Sequence, residues 1–220
     1  MKKKISDDGN TALYETDKDE ELLLKFNDDI IDGRGNVKAK TKLKGTLNAQ
    51  LAQHLFKLID SYHIPTPFKS QPTAKELLFK DFEQFPFKIV VTNVEKNEPL
   101  ESPQLQYFST ENGRDREIAP SELVDSQVLT PEQGGDLRRM SLKLNVILKD
   151  FFQRRRFEVH AFEVQFGMIG NRLGLCSPLT LDTVDLKDMD SVRKFSSHHI
   201  ASHAENADEL YEEISQKLLF

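Results

Sequence analysis

The stretch FEVHAFEVQFG, residues 157–167, alternates between apolar and polar side chains, which indicates a strand with one buried face. The apolar face of this strand carries Phe162, Val164 and Phe166. The opposite face carries Ala161, Glu163 and Gln165. A catalytic strand normally presents several charged groups, whereas this face offers one methyl group, one acid and one amide. The pattern predicts a core strand and leaves open whether its second face performs any chemistry.

The elements predicted around this strand follow one another in an order typical of an α+β fold. Alternating or β-branched segments predict strands at 11–16, 21–26 and 75–94, the last as a pair joined near Pro86, and a hairpin through MIGN follows residue 167. Apolar residues at helical spacing predict helices at 47–62, 130–152 and 206–219, the second with the capping pattern TPEQ. Residues 27–45 and 95–135 are predicted mostly as loops with short elements.

Length and composition limit the classes of protein to which the chain can belong. The chain has 220 residues, of which 38% are hydrophobic and 30% charged, as is typical of a folded globular protein. Its formal net charge of −6 predicts no general attraction to nucleic acid or to an anionic membrane. One cysteine excludes an internal disulfide, and the sequence shows neither an apolar run of membrane-spanning length nor a signal peptide. A cytoplasmic protein is expected.

Short motifs assign no chemistry to the chain, because the Walker loop, GxGxxG, HExxH and GxSxG are all missing from the sequence. His198, His199 and His203 have the spacing of a metal-binding pair on a helix, but histidines in a Ser-rich stretch are more often solvated. Cys176 has no neighbouring base and is interpreted as a buried hydrophobe rather than a nucleophile. The run 154–156 of three arginines suits a helix end, with anion binding as the alternative.

Four stretches of the sequence together resemble one enzyme family. They are FNDDIIDGRGN (26–36), KGTLNAQLAQHLFKLIDSYHIPTPF (44–68), ELLFKDFEQFPFKIVVTN (76–93) and FEVHAFEVQFG (157–167). The first resembles the F-x-N/D-D-x-x-A-x-D/N-G loop of the phosphoribosylaminoimidazole-succinocarboxamide (SAICAR) synthetases. The second is similar to the segment of that family that begins K-G-x-x-N and ends G-I-P-T. The resemblance extends over most of the chain.

The resemblance implies both a fold and a reaction. The fold is α+β and two-lobed, with antiparallel sheets, flanking helices and a nucleotide cleft between an N-terminal lobe (1–90) and a C-terminal lobe (91–220). Such a ligase uses ATP and magnesium to activate a carboxylate of an aminoimidazole ribotide as an acyl phosphate, which the amine of aspartate displaces. The implied partners are a nucleotide or ribotide and a second copy or paralogous subunit, with no nucleic acid and no membrane.

The resemblance also implies where ligands would bind. The nucleotide-binding candidates are Gly9, Thr11, Lys80 and Gln84, and the substrate-binding candidates are Asn93, Asp29 and Asp32. The family cradles the ATP phosphates in a Gly-Lys-x-Lys/Arg turn, whereas this chain has DDGNTALY (7–14) in that place. Gly9 still permits a tight turn, but the two aspartates before it would repel phosphate.

Six positions at which the family has metal-binding or catalytic groups carry different side chains here: Lys88, Thr92, Ala161, Glu163, Gln165 and Leu175. The late strand of the family presents Asp, Lys and Glu in a D-F-K-x-E-F-G pattern, so its magnesium carboxylate corresponds to the neutral amide of Gln165. A second metal-binding Asp of the family corresponds to Leu175. Without these two negative charges magnesium binding is doubtful, and no residue is assigned as a metal ligand.

Three functions remain open from the sequence. The first, which we expect, is a divergent family member of purine-type nucleotide metabolism with lost or altered ATP-dependent ligase activity and a binding or regulatory role. The second is an active ligase that joins aspartate or another amine to an aminoimidazole ribotide carboxylate or a related substrate. Displaced metal ligands would then come from this set: Asp28, Asp29, Asp32, Asp182 or Glu163. The third is an unrelated α+β binding protein.

Overall fold

The computed structural model describes residues 3–111, 114–191 and 193–219, which form sixteen strands and five α-helices. The strands are β1 (Lys4–Asp7), β2 (Thr11–Glu15), β3 (Glu21–Phe26), β4 (Asp29–Ile31), β5 (Val37–Lys40), β6 (Phe68–Thr73), β7 (Glu76–Lys80), β8 (Glu83–Gln84), β9 (Phe87–Glu95), β10 (Glu98–Glu111), β11 (Arg114–Ile118), β12 (Phe157–Val164), β13 (Phe166–Ile169), β14 (Arg172–Leu175), β15 (Val184–Asp188) and β16 (Lys194–Phe195). The helices are α1 (Lys44–Ser61), α2 (Pro120–Asp125), α3 (Pro131–Gln153), α4 (Ser197–Ser202) and α5 (Ala207–Leu219).

The N-terminal sheet has the strand order β1-β2-β3-β7-β6 and packs against α1. The apolar run of β3 buries Leu22 and Leu24 in the core cluster to which α1 also contributes. Apolar residues recur every three or four positions along α1, so that Leu51, Leu55 and Ile59 lie on one buried face of the helix. The helix ends at Ser61, and His63 then adopts a left-handed φ of 61° that turns the chain toward β6.

The C-terminal sheet has the strand order β11-β10-β9-β12-β15-β16, and α3 packs against β9 and β12. Thr130 and Gln133 cap α3 reciprocally: the Thr130 oxygen accepts the Gln133 N–H at 3.1 Å, and the Gln133 side chain accepts the Thr130 N–H at 2.8 Å. Phe162 of β12 is buried, as the alternation predicts. Asn93 of β9 and Asn145 of α3 exchange two buried amide hydrogen bonds of 2.8 and 2.9 Å.

A small sheet of order β14-β13-β8 joins the two larger sheets, because β8 leads from β7 into β9 while the β13–β14 hairpin follows β12. Two glycines allow this close approach of backbones. A Cβ at Gly167 would lie 2.2 Å from the carbonyl oxygen of Glu83, and a Cβ at Gly174 would lie 2.4 Å from that of Pro65. Any larger residue at either position would require the backbone to move.

Most of the predicted elements are confirmed, including the first two long strands, the pair in 75–94, the strand and hairpin after 157, and all three predicted helices. The expectation that residues 95–135 are mostly loop is wrong, because β10, β11 and α2 occupy much of that segment. The register of β10 with β9 shifts between Pro99 and Gln104, so Pro99 and Pro103 are accommodated at an irregularity of the strand. Residues 27–45 contain the short pair β4–β5.

The α+β class and the antiparallel sheets are confirmed by these strand pairings. The division into lobes at residue 90 stays a prediction. Residue 90 lies inside β9, whose neighbours β10 and β12 both belong to the C-terminal sheet. Among the residues that the structure describes, no helix has both the length and the apolar character needed to cross a membrane.

We expect Gly167→Ala to destabilise the protein by about 3 kcal/mol, because the added Cβ would overlap the backbone of β8. Gly134→Ala is the matched control, since a Cβ there meets nothing within 4 Å and alanine favours the helical conformation of α3. The control is expected to gain about 0.5–1 kcal/mol. Urea unfolding of both variants measures the effect, and equal stabilities would contradict the close approach at Gly167.

Candidate ligand-binding cleft

A cavity of about 290 Å³ lies between the N-terminal and C-terminal sheets. Its walls come from the loop before β2, from β2, β3 and β7 of the N-terminal sheet, and from the end of β12 with the start of β9 in the C-terminal sheet. The segment between β14 and β15 completes the enclosure. A cavity in this place agrees with the fold that the resemblance implies.

One wall of the cavity is apolar. Leu13 of β2 and Leu24 of β3 are cross-strand neighbours and both line the cavity. Phe79 and Phe82 lie beside them with ring centroids 6.1 Å apart, and Val164 adds apolar surface from the C-terminal sheet. An aromatic and aliphatic wall of this kind favours a flat ring, because it removes the apolar face of the ring from water.

The charged part of the C-terminal wall is an ion cluster centred on Lys88. The Lys88 ammonium lies 2.8 Å from a carboxylate oxygen of Asp115 and 2.9 Å from one of Glu163. Burial by itself lowers the pKa of Lys88, but the two carboxylates outweigh burial and raise that pKa above its ordinary value. Lys88 is therefore charged at neutral pH and is held by two acids of the chain itself.

The N-terminal loop at residues 7–11 is folded around its own carboxylates. Oδ1 of Asp8 accepts the backbone N–H groups of Asn10 at 2.9 Å and Thr11 at 2.6 Å, and Oδ2 accepts the Thr11 hydroxyl at 3.2 Å. Oδ1 of Asp7 accepts the N–H of Gly9 at 3.0 Å, where φ is +85°. Successive N–H groups in a turn form a concave site that suits an anion. In this chain the aspartates supply that anion.

The floor of the cavity rests on a buried ion pair between Lys44 and Asp182. The Lys44 side chain is 1% exposed, and its ammonium lies 3.1 Å from the Asp182 carboxylate. The same ammonium donates to the side chain of Asn10 and to the carbonyl oxygen of Asp29, both at 2.7 Å. Asn48 donates to the second Asp182 oxygen at 2.7 Å. Burial raises the pKa of Asp182 above its ordinary value, against the opposing effect of Lys44.

Neutral groups complete the wall at the end of β12. The Gln165 side chain lines the cavity, while its backbone N–H donates to Ser177 Oγ at 2.8 Å and its carbonyl oxygen accepts the Cys176 N–H at 2.9 Å. Cys176 is buried, and burial raises the pKa of its thiol to about 12. Because a thiol with this pKa is un-ionised at neutral pH, the structure disfavours the nucleophile alternative for Cys176.

Several of the residues predicted from the resemblance meet at this cavity. Those that line it are Thr11, Gln84, Lys88, Glu163 and Gln165. Gly9 forms the adjoining turn. Ala161 and Thr92 are cross-strand partners on β12 and β9, two residues along the strands from the pair of Glu163 and Val90.

Two predicted cleft residues point elsewhere. Lys80 is exposed and lines a separate open groove of about 710 Å³ together with Asp81 and Arg172. Leu175 is fully buried in the hydrophobic core, and its neighbour Cys176 is the residue that reaches the cavity. This corrects the expectation that Leu175 faces the cleft: the β14 strand presents that side chain to the core.

The three substrate-binding candidates are engaged in contacts within the fold. Asp29 lies 3.2 Å from the Lys40 ammonium across the β4–β5 pair. Asp32 accepts the backbone N–H of Asn36 at 2.9 Å in the turn of that hairpin, and this bond is the largest of the contacts that lower its pKa. The amide of Asn93 is committed to α3, as described above. None of the three lines the cavity formed by the described residues.

The histidines and arginines singled out by the sequence also make local contacts. Nδ1 of His203 lies 3.0 Å from the carbonyl oxygen of His199 at the end of α4. Arg154 pairs with Asp150 one helical turn earlier, which fits the helix-end interpretation. In the described part of the chain, no group of three or more His, Cys, Asp and Glu side chains is placed to hold a metal ion.

Sequence reasoning missed Lys44 and Asn48, which hold the cavity floor. A signal was available, because these polar residues are spaced four apart and fall on the face of α1 that buries Leu51 and Leu55. A lysine within an apolar stripe requires a buried partner. The partner, Asp182, lies 138 positions away in sequence, so spacing alone does not identify it.

The residues at the cavity do not fit a magnesium ion with its triphosphate. Magnesium takes carboxylate, carbonyl and water oxygens in a near-octahedral arrangement. Glu163 is engaged by Lys88, Asp182 by Lys44, and the Asp8 carboxylate by the backbone of its own loop. These carboxylates are already partly engaged within the chain, and no three of the described acidic, histidine or cysteine side chains are grouped as a cation site would require.

We expect Asp182→Asn to destabilise the protein by about 3–5 kcal/mol, because the buried Lys44 ammonium loses its counter-charge. Asp190→Asn is the matched control: it removes an acid whose pair with Arg156 is exposed, so a change below about 1 kcal/mol is expected. Urea unfolding measures both variants. A Lys44→Met, Asp182→Leu double variant should recover most of the loss, and failure to recover it would contradict the ion pair as the cause.

Thiol labelling tests the burial of Cys176. With a pKa of about 12 and a buried position, the thiol should react with a disulfide reagent at pH 8 at least about 1,000-fold more slowly in the folded protein than in urea. The native rate should rise as pH rises, since more thiolate forms. Equal rates in folded and unfolded protein would contradict the environment described for this residue.

Comparison with known proteins agrees with the fold and the sequence resemblance. The family model described as SAICAR synthetase matches residues 9–217. The chain is 25% identical to the phosphoribosylaminoimidazole-succinocarboxamide synthase of Sulfurisphaera tokodaii, over 98% of this chain and 97% of that protein.

Solved structures show the same architecture. A phosphoribosylaminoimidazole-succinocarboxamide synthase from Ehrlichia chaffeensis is similar with a TM-score of 0.91 at 23% identity, over 98% of each chain. A SAICAR synthetase solved in complex with ADP has a TM-score of 0.89 at 23% identity, over 97% of this chain and 96% of that one. The family match over nearly the whole chain, on a fold with the expected interlobe cleft, leads to one conclusion: this chain belongs to the SAICAR synthetase family.

Proposed function

We propose that the cleft binds a purine compound, either a nucleotide or its nucleoside, and that binding in this chain is not followed by ligation. The protein then acts in purine metabolism as a binding or regulatory member of its family. The observation that supports this proposal is that the charged groups of the cleft have partners within the chain. Asp8, Lys88, Glu163 and Asp182 line the cavity, and each of them already has a partner within the chain.

Support for a purine ligand comes from the family and from the cavity. The family is one of purine biosynthesis, and one structural neighbour was solved with ADP. The cavity, at about 290 Å³, is close to the lower end of the range of roughly 300–1,000 Å³ for small-molecule sites. Its combination of an aromatic wall with a few neutral polar groups suits a flat heterocycle that carries amino or carbonyl substituents.

The case against ligation is electrostatic. Activation of a carboxylate by ATP requires positive charge around the transferring phosphoryl group. Two unit charges 4 Å apart interact by about 4 kcal/mol at an effective dielectric constant of 20. Carboxylates that face the phosphate would therefore raise the activation free energy of phosphoryl transfer. Asp8, Glu163 and Asp182 occupy the walls of this cleft, whereas Lys88 is held by two acids and Lys44 is buried.

The second candidate is an active ATP-dependent ligase of the same family. The comparisons taken alone favour this candidate over the first, because the similar proteins are named as synthases and the chain spans nearly their full length. A specific feature also favours it: the acids at the walls, Glu163 and Asp182 among them, are oxygen donors that could coordinate a cation if nucleotide binding displaced their lysines.

The remaining expectations about context stay proposals. We propose that the chain forms a homo-oligomer or a complex with a paralogous subunit. We also propose that it is located in the cytoplasm.

A turnover assay separates the two candidates. The purified protein is incubated with magnesium-ATP, aspartate and the carboxylate of aminoimidazole ribotide, and ADP formation is measured. We expect no ADP above background, because the cleft lacks free positive charge for the transferring phosphoryl group. The Ehrlichia chaffeensis synthase, assayed in parallel, is the positive control.

Turnover on the order of 1 per second, typical of enzymes, would overturn the first candidate and establish the second. A thermal shift with ATP gives an independent reading. Stabilisation by ATP that requires magnesium supports the ligase. Stabilisation by a purine compound that is the same with magnesium or with a chelator supports binding without ligation.

A further inference from the structure

We infer that the ligand of the cleft is an uncharged purine nucleoside rather than a nucleotide that carries phosphate. This inference rests on the proposed function, since it names the class of compound that the same cavity takes. Three features of the cavity carry it: the occupied N–H groups of the N-terminal loop, the committed lysines of the walls, and the neutral polar groups that remain available.

The first feature is the N-terminal loop, whose N–H groups already hold an anion. The Asp8 carboxylate accepts two backbone N–H groups and one hydroxyl, at 2.9, 2.6 and 3.2 Å. These donors would be the natural partners of a phosphate at this end of the cavity. A phosphate brought here would meet the Asp8 carboxylate instead of free donors, so its negative charge would be repelled.

The second feature is the state of the lysines. Lys88 is the cation among the described lining residues, and it contacts the carboxylates of both Asp115 and Glu163. The ammonium of Lys44 is buried and has three acceptors, which equals the number of its N–H donors. Lys44 cannot turn to a phosphate without leaving the Asp182 carboxylate unpaired. Lys88 already faces two carboxylates, so a phosphate beside it would add a third negative group around one positive charge, and the net attraction would be small.

The third feature is what the cavity still offers to a ligand. Leu13 and Phe82 are partly exposed and provide apolar surface for a base, and the lining residues Gln84 and Gln165 carry amides that can each both donate and accept hydrogen bonds. Neutral donors and acceptors suit the ring nitrogens and exocyclic groups of a purine and the hydroxyls of a ribose, and they need no counter-charge.

Calorimetric titration of the full chain tests the inference. The probes are adenosine and inosine with their matched monophosphates AMP and IMP, each titrated with magnesium and again with a chelator. We expect at least one nucleoside to bind at least about tenfold more tightly than its monophosphate, with no effect of magnesium. A monophosphate that binds as tightly as its nucleoside, or more tightly, overturns the inference and leaves the proposed binding function intact.

Substitution of Asp8 tests the cause. Asp8→Asn removes the charge while the amide oxygen can still accept the loop N–H groups, so the turn is retained. AMP affinity should rise about tenfold, and adenosine affinity should stay within about twofold. Asp7→Asn is the matched control: Asp7 also accepts a loop N–H, but it pairs with the exposed Lys4, and we expect less than about a twofold change for either compound.

The outcomes separate the inference from the function on which it rests. An unchanged AMP affinity in Asp8→Asn, with adenosine still bound, overturns the role assigned to the loop carboxylate. No binding of any of the four purine compounds by the wild-type protein overturns the proposed function and the inference together. Circular dichroism and thermal unfolding of both variants establish that they fold like the wild-type protein before affinities are compared.

Discussion

The buried ion pair of Lys44 and Asp182 is the interaction on which the cleft depends. It connects α1 to the segment before β15, and through the other two Lys44 hydrogen bonds it also holds Asn10 of the N-terminal loop and the backbone of Asp29. A buried ammonium is tolerated only while its partners stay in place. The loop, helix and C-terminal wall are therefore constrained to one arrangement, and the cavity above them has a fixed floor.

The same requirement for pairing explains the chemistry of the walls. A site for magnesium and triphosphate keeps its anionic and cationic groups available to the ligand. Here the charged groups have partners within the chain. The Asp8 carboxylate accepts the loop N–H groups, and the Lys88 ammonium contacts the carboxylates of Glu163 and Asp115. The result is a cavity whose walls contain charged residues but offer an incoming ligand mainly neutral and apolar contacts. This internal pairing is the physical argument behind the binding role that we propose.

Packing and chemistry are separable in this fold because they use opposite faces of the same strands. On β12, the face that carries Phe162 and Val164 is buried, while the face that carries Ala161 and Glu163 is free of that constraint. Because successive side chains of a strand point to opposite faces, residues on the second face can be substituted without disturbing the core. Gly167 and Gly174 are constrained in a different way, because the neighbouring backbone leaves no space for a side chain at either position.

The sequence by itself determined the elements that local periodicity and capping encode: the early strands, α1, α3 with its Thr130 cap, and the alternation of β12. The resemblance predicted that Lys88, Glu163 and Gln165 would lie at one cleft, and all three line the same cavity. Only the tertiary structure decided that Leu175 enters the core, that Lys80 lines another groove, and that Lys44 meets Asp182. These outcomes depend on contacts between distant segments, and periodicity within one segment carries no information about which partner a buried charge will find.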